Sequence, residues 1–197
     1  MTSRVSFVSP AMNASARQVR FDDGGSIDAG GRARARAAAG SLPAAVRVVV
    51  SPSVRCRETA AALGLDAAEA QELAGLDVGR WRGLTLAEVG ADEPEGLGRW
   101  LTDPSSAPHG GESVEDLCAR VGRWLDAALE TDGRTLAVVE PEVVRAVAAQ
   151  VLGAPPAAFW RVDVAPLTVT SVSGRDGRWN LRLGHPLDSP DPEPAGS

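Results

Sequence analysis

Cysteine is scarce in this chain: only Cys56 and Cys118 occur, too few for a disulfide framework and without the spacing of metal ligands. A reduced cytoplasm is the expectation, with no metal and no other cofactor. Long apolar runs are missing as well. No segment approaches the roughly 20 residues needed to cross a bilayer. Met1 to Pro10 has no long apolar core behind a basic start, so neither a membrane span nor a signal peptide is expected. Positive charge is in deficit, with 20 basic against 26 acidic residues and a net charge of −6. That balance argues against general nucleic-acid binding, which needs a dense basic face to displace counterions. Arg32, Arg34 and Arg36 alternate with alanine and read as the solvated face of a helix. Neither an internal repeat nor a second domain is expected from the pattern. What is left, 197 residues with 44% hydrophobic and 23% charged side chains, fits one globular domain over residues 1–187. Residues 188–197 hold three prolines and no apolar side chain beyond alanine, and are expected to be disordered.

Along the chain, Val5 to Val8 reads as a first strand ending at Ser9-Pro10. Arg32 to Ala39 favours helix, and the four valines within Val46 to Val50 predict a fully buried strand. Ser51-Pro52 reads as an N-cap with proline at the first helical position, and Gly64 closes the helix it opens. Leu73 to Pro108 is irregular, with short helical pieces at Leu84–Val89 and Leu97–Leu101. Ser113-Val114-Glu115-Asp116 starts the clearest helix in a manner resembling a capping box, with Leu117, Val121, Trp124, Leu125 and Ala128 at helical spacing. Thr135 to Val139 is a further buried strand and Val143 to Leu152 a further helix. Leu167–Val172 and Trp179–Leu183 form a hairpin joined by Asp176-Gly177. This order predicts an α/β fold, a three-layer α/β/α sandwich around a mostly parallel sheet. Ligands of such sheets lie outside the carboxyl ends of the strands, here Ser9-Pro10, Ser51-Pro52 and Glu140-Pro141.

At those ends the chain resembles the histidine phosphatases, the phosphoglycerate mutase-like superfamily. Ser51-Pro52-Ser53-Val54-Arg55-Cys56-Arg57-Glu58-Thr59-Ala60 fits the family pattern Ser-Pro-x-x-Arg-x-x-x-Thr-Ala. In that pattern the arginine grips the substrate phosphate, and a guanidinium at a helix N-terminus adds forked donors to the helix's own preference for anions. Gly79-Arg80-Trp81-Arg82-Gly83 is similar to the family's Gly-x-Trp-Glu-Gly, and Pro108 to Ser113 to its Pro-x-Gly-Glu-Ser loop. Val143-Val144-Arg145-Ala146 resembles the opening of the helix after the last parallel strand. Gly153-Ala154-Pro155 with Trp160 resembles the α-ribazole phosphatase branch.

The resemblance also implies four replacements. Pro10 stands where the family has its nucleophilic histidine and Ser9 where it has an arginine; Glu140 takes the place of the second histidine, and Gly75 that of the glutamate proton donor. Proline has no nucleophilic nitrogen, and a carboxylate at 140 repels a phosphate dianion. The reading is therefore a degenerate member lacking both catalytic histidines, a non-catalytic binding or scaffolding module with a remnant anion site at Arg55, Ser9 and Ser51. The alternative is repurposed acid/base chemistry (isomerase, lyase or cyclase) with Glu140 as base and His109 as acid. A residual phosphomonoesterase comes third. An Arg55–Glu140 ion pair filling the vacated phosphate site favours the inert module. His109, between glycines, reads as a solvated loop residue, and His185 as a terminal packing residue. The partner is a small anionic ligand or a protein. An exposed tryptophan among Trp81, Trp100 and Trp124 would mark a partner surface, and a dimer is compatible with the sequence.

Overall fold

The computed structural model describes residues 3–175 and 178–187. Strand β1 (Ser3–Val8) lies at the middle of a six-stranded sheet. The short helix α1 (Ala14–Arg17) and helix α2 (Ala29–Ala37) follow, then β2 (Arg47–Val50), α3 (Val54–Ala62) and the two-residue β3 (Ala68–Glu69). An excursion carries α4 (Leu86–Asp92) and α5 (Pro94–Thr102). The chain then returns through α6 (Val114–Leu129), β4 (Gly133–Val138), α7 (Pro141–Leu152), β5 (Thr168–Arg175) and β6 (Arg178–Pro186). The strand order is β3-β2-β4-β1-β5-β6, parallel from β3 to β1 and antiparallel at β5 and β6. This is the expected mostly parallel α/β sheet. The Asp176-Gly177 turn and the tail from Asp188 lie outside the described residues.

Side chains alternate across the sheet and bind a helical layer to each face. Val5 and Phe7 of β1 join Leu117, Val121 and Leu125 of α6 and Val143 and Val147 of α7. Val8 packs on the opposite face with Val50, Leu136 and Val138 against Ala35 of α2 and Cys56 and Ala60 of α3. Ser113 caps α6 as its sequence suggests, accepting the Asp116 N–H at 3.0 Å and donating to its carboxylate at 2.7 Å. The valine run is less buried than expected, because on its outer side β2 is bordered only by the two-residue β3. Val46 precedes the strand and is 77% exposed, so burial is reached only at Val49 and Val50. No helix among the described residues is long and apolar enough to cross a membrane.

A third apolar group belongs to the excursion. Trp81 and Trp100 meet edge-on with ring centroids 5.6 Å apart, Phe21 closes on both, and Trp160 lies 4.3 Å from Trp100. None of Trp81, Trp100 and Trp124 is more than 8% exposed, so none marks a partner surface.

Candidate functional site

Because β2 and β4 are hydrogen-bonded neighbours in parallel register, Val50 opposite Val138, the residues that follow them emerge side by side. After β2 the chain turns through Ser51-Pro52 into α3, and Arg55 stands on that helix's first turn. After β4 it passes Val139 to Glu140, which opens α7 with Pro141 at its start. Two residues 85 positions apart are thereby placed face to face.

They form a buried, forked ion pair. Arg55 Nε donates to both Glu140 oxygens, at 3.1 and 2.8 Å, and Nη2 donates to Oε2. The two side chains are 12% and 5% exposed. Ser53 supplies a third donor, its hydroxyl lying 2.6 Å from Glu140 Oε1. The same hydroxyl accepts the Cys56 N–H at 3.2 Å, so Ser53 caps α3. The sequence places that cap at Ser51, two residues early; both serines suit the role, and the turn at Pro52 decides between them. Ser51 is fully buried, and its Oγ has no hydrogen-bond partner among the described residues.

Glu140 is also the N-cap residue of α7, yet its side chain caps none of that helix's N–H groups. A carboxylate at an N-cap ordinarily accepts such an N–H. Here Arg55 and Ser53 outcompete the helix, as expected of charge-assisted, forked donors. Burial alone lowers the pKa of the Arg55 guanidinium, but the charge and hydrogen bonds of Glu140 raise it further, so the net shift is upward. The Cys56 thiol, 3.6 Å from Glu140, is pushed well above its ordinary value by burial and then by that carboxylate. It is no nucleophile.

Two residues outside the sequence-based site join this group. The carboxyls of Asp22 and Glu142 are both raised, first by burial and then by the charge of Glu140. Arg55 and Arg82 act on Asp22 in the opposite sense, and Arg55 and Arg145 on Glu142. Asp22 and Glu142 are thus coupled electrostatically to the Arg55–Glu140 pair, which is the one ion pair of this group among the described residues. Arg145 is further held by the Val162 carbonyl at 2.8 Å and lies over the Phe159 and Trp160 rings.

Gly75 completes the arrangement. A Cβ at this position would stand 3.0 Å from Glu140 Cγ and 3.4 Å from its Cβ, so the Glu140 stem occupies the space that a side chain at 75 would enter. Arg120 fixes this segment, donating to the carbonyls of Glu72 and Ala74 at 2.7 and 3.1 Å while gripping Glu112. Nothing in the local sequence marks Arg120 for that role, since its partners come from two other segments.

The remaining sequence-based candidates lie outside this cluster. Ser9 is buried; its hydroxyl is 2.5 Å from the Ala165 carbonyl, and it accepts the Thr168 N–H at 3.0 Å. It clasps the end of β1 to the start of β5 and makes no hydrogen bond to Arg55 or Glu140. His109 is not the solvated loop residue its glycine neighbours suggest. It is 2% exposed and meets Trp81 edge-on at 5.0 Å. Its Nδ1 accepts the Gly111 N–H at 3.0 Å, and its buried Nε2 has no partner among the described residues. Burial lowers its pKa, and the charges acting on it are those of Asp77, Arg80 and Glu93.

Residues 11–185 match the histidine phosphatase superfamily (branch 1). The chain belongs to that superfamily. Among curated relatives, the bifunctional protein Rv2228c of Mycobacterium tuberculosis is 42% identical over 97 residues, 47% of this chain and 27% of that protein. The match therefore spans about a quarter of that relative's length. Among solved structures, mycobacterial glucosyl-3-phosphoglycerate phosphatase Rv2419c superposes with a TM-score of 0.80 at 25% identity, covering 93% of this chain and 98% of that one. A candidate α-ribazole-5′-P phosphatase of Escherichia coli K-12 gives 0.83 at 19% identity over 94% and 97% of the two chains, a likeness of fold.

Proposed function

We propose that this superfamily member does not hydrolyse phosphomonoesters through a phosphohistidine and serves instead as a non-catalytic binding module whose phosphate site is occupied by its own Glu140. The observation that carries this reading is the buried fork between Arg55 and Glu140, supported by Ser53. A carboxylate there satisfies the guanidinium that the family pattern assigns to substrate phosphate, and an external anion reaches Arg55 only by displacing it. The strand ends where the family carries its two histidines hold Pro10 and Glu140, and the chain's only histidines, His109 and His185, lie elsewhere.

Repurposed acid/base chemistry is less well supported. As a general base, Glu140 has to exchange two charge-assisted partners for a substrate proton, and His109 makes its contacts in the tryptophan cluster. The partner of the module is a small anionic ligand or another protein. The test is turnover of a generic aryl phosphate and a panel of phosphomonoesters, with Arg55→Ala alongside. No turnover is expected from either protein; hydrolysis that disappears in Arg55→Ala would overturn the reading.

A further inference from the structure

At the opposite end of the sheet, on the face covered by α2 and α3, a small cavity of about 60 Å³ is lined by Ser6, Ser171, Arg134, Arg182 and His185, among others. Register builds it. Leu136 of β4, Ser6 of β1, Ser171 of β5 and Arg182 of β6 form one row across four strands. Arg134 lies two residues before Leu136 on the same face, and His185 stands opposite Val169. Arg134 and Glu140 are six residue steps apart along β4 and its exit, roughly 20 Å at about 3.3 Å per residue. This is a place distinct from the Arg55 site.

Its chemistry runs against the rest of the molecule. In a chain of net charge −6, two guanidinia line one cavity, and among the described residues no carboxylate lines it and neither arginine forms an ion pair. His185 Nε2 is buried with no hydrogen-bond partner among those residues. Ser6 is 5% exposed in the middle of a core strand, where alternation calls for an apolar side chain. It shares one hydrogen bond of 3.3 Å with Ser171, which leaves one hydroxyl proton of that pair to donate elsewhere. Ser41 also lines the cavity, but its hydroxyl is already given to the Ala38 carbonyl.

We propose that this cavity binds a small tetrahedral oxyanion, inorganic phosphate or sulfate. Arg134 and Arg182 supply the charge, and His185 with the Ser6–Ser171 pair supplies further donors. Each feature answers a need of such an ion: guanidinia without an ion pair and a buried nitrogen without a partner among the described residues, and a space of ionic size. The site is separate from the closed Arg55–Glu140 cluster, and its failure leaves the reading of that cluster untouched.

The experiment is a titration of the full chain with inorganic phosphate, followed by amide and imidazole NMR at constant ionic strength, with chloride as the reference anion. Saturable shifts are expected at His185, Ser171 and Arg182. Arg134→Gln, at a half-buried side chain, and Arg182→Gln, at an exposed one, should each weaken binding about tenfold. Sulfate is expected to compete. The proposal fails if no shift saturates or if chloride reproduces the shifts. It also fails if they map to Ser53, Arg55 and Glu140, or if neither arginine variant alters the affinity.

Discussion

The two ends of the sheet present arginine differently. At the carboxyl ends of the parallel strands, Arg55 is locked in a buried fork with Glu140. At the other end, Arg134 and Arg182 line a cavity that no carboxylate among the described residues lines. On the function proposed above, the fold's customary ligand position is the one satisfied from within. A family resemblance locates where chemistry is usually done; whether a site is open depends on the charge inventory around it, which only the folded structure assembles.

The strongest way to break this contrast is to remove the internal anion. Glu140→Ala leaves Arg55 buried and unpaired, and should cost about 3–5 kcal/mol in urea unfolding. Inorganic phosphate should restore part of that loss in the variant and have no effect through Arg55 in the wild type. An unchanged unfolding midpoint would show that the pair contributes nothing.

A smaller effect is expected at Gly75. Gly75→Ala drives a methyl group against a side chain that Arg55 and Ser53 hold in place, a cost of about 1–3 kcal/mol. In a Glu140→Ala background the collision with Cγ is gone, so the two changes should be non-additive by roughly 0.5–3 kcal/mol in a double-mutant cycle. Additivity would separate the two positions.

Asp22→Asn should stabilise slightly at neutral pH. The folded-state pKa of Asp22 is raised, so its ionised form is disfavoured by folding; the asparagine removes that cost. Once the pH falls below the ordinary aspartate value of about 4, Asp22 is protonated in both states and the gain should vanish. Unfolding curves of both proteins across the acid range check the sign. Last and smallest, Arg57→Gln breaks the exposed pair with Glu69 and should change stability by less than about 1 kcal/mol. It is the surface reference against which the Glu140 result is read.

Much of this was legible from local pattern. Strand ends, the Arg55 helix and the Ser113 cap follow from short-range signals, and the facing of Arg55 and Glu140 follows from parallel order. Properties assembled from distant segments were not legible. His109 is flanked by residues that suggest an open loop, but its burial is decided by Trp81 and Trp100. Asp22 sits in a polar, Gly-rich stretch with no motif to single it out, and joins the site only because the chain after β1 folds back over it. The valines of β2 predict burial that a two-residue neighbouring strand cannot provide.

The contact between Gly75 and Glu140 also restricts how this sequence can change. Suppose the chain moves toward the family pattern, with a glutamate at 75 and a histidine at 140. Taking the first step alone forces a side chain into occupied space. Taking the second alone strips Arg55 of its carboxylate. Either order passes through a less stable protein, so the two positions travel most easily as a linked pair, and single-site variation will tend to preserve the arrangement now in place.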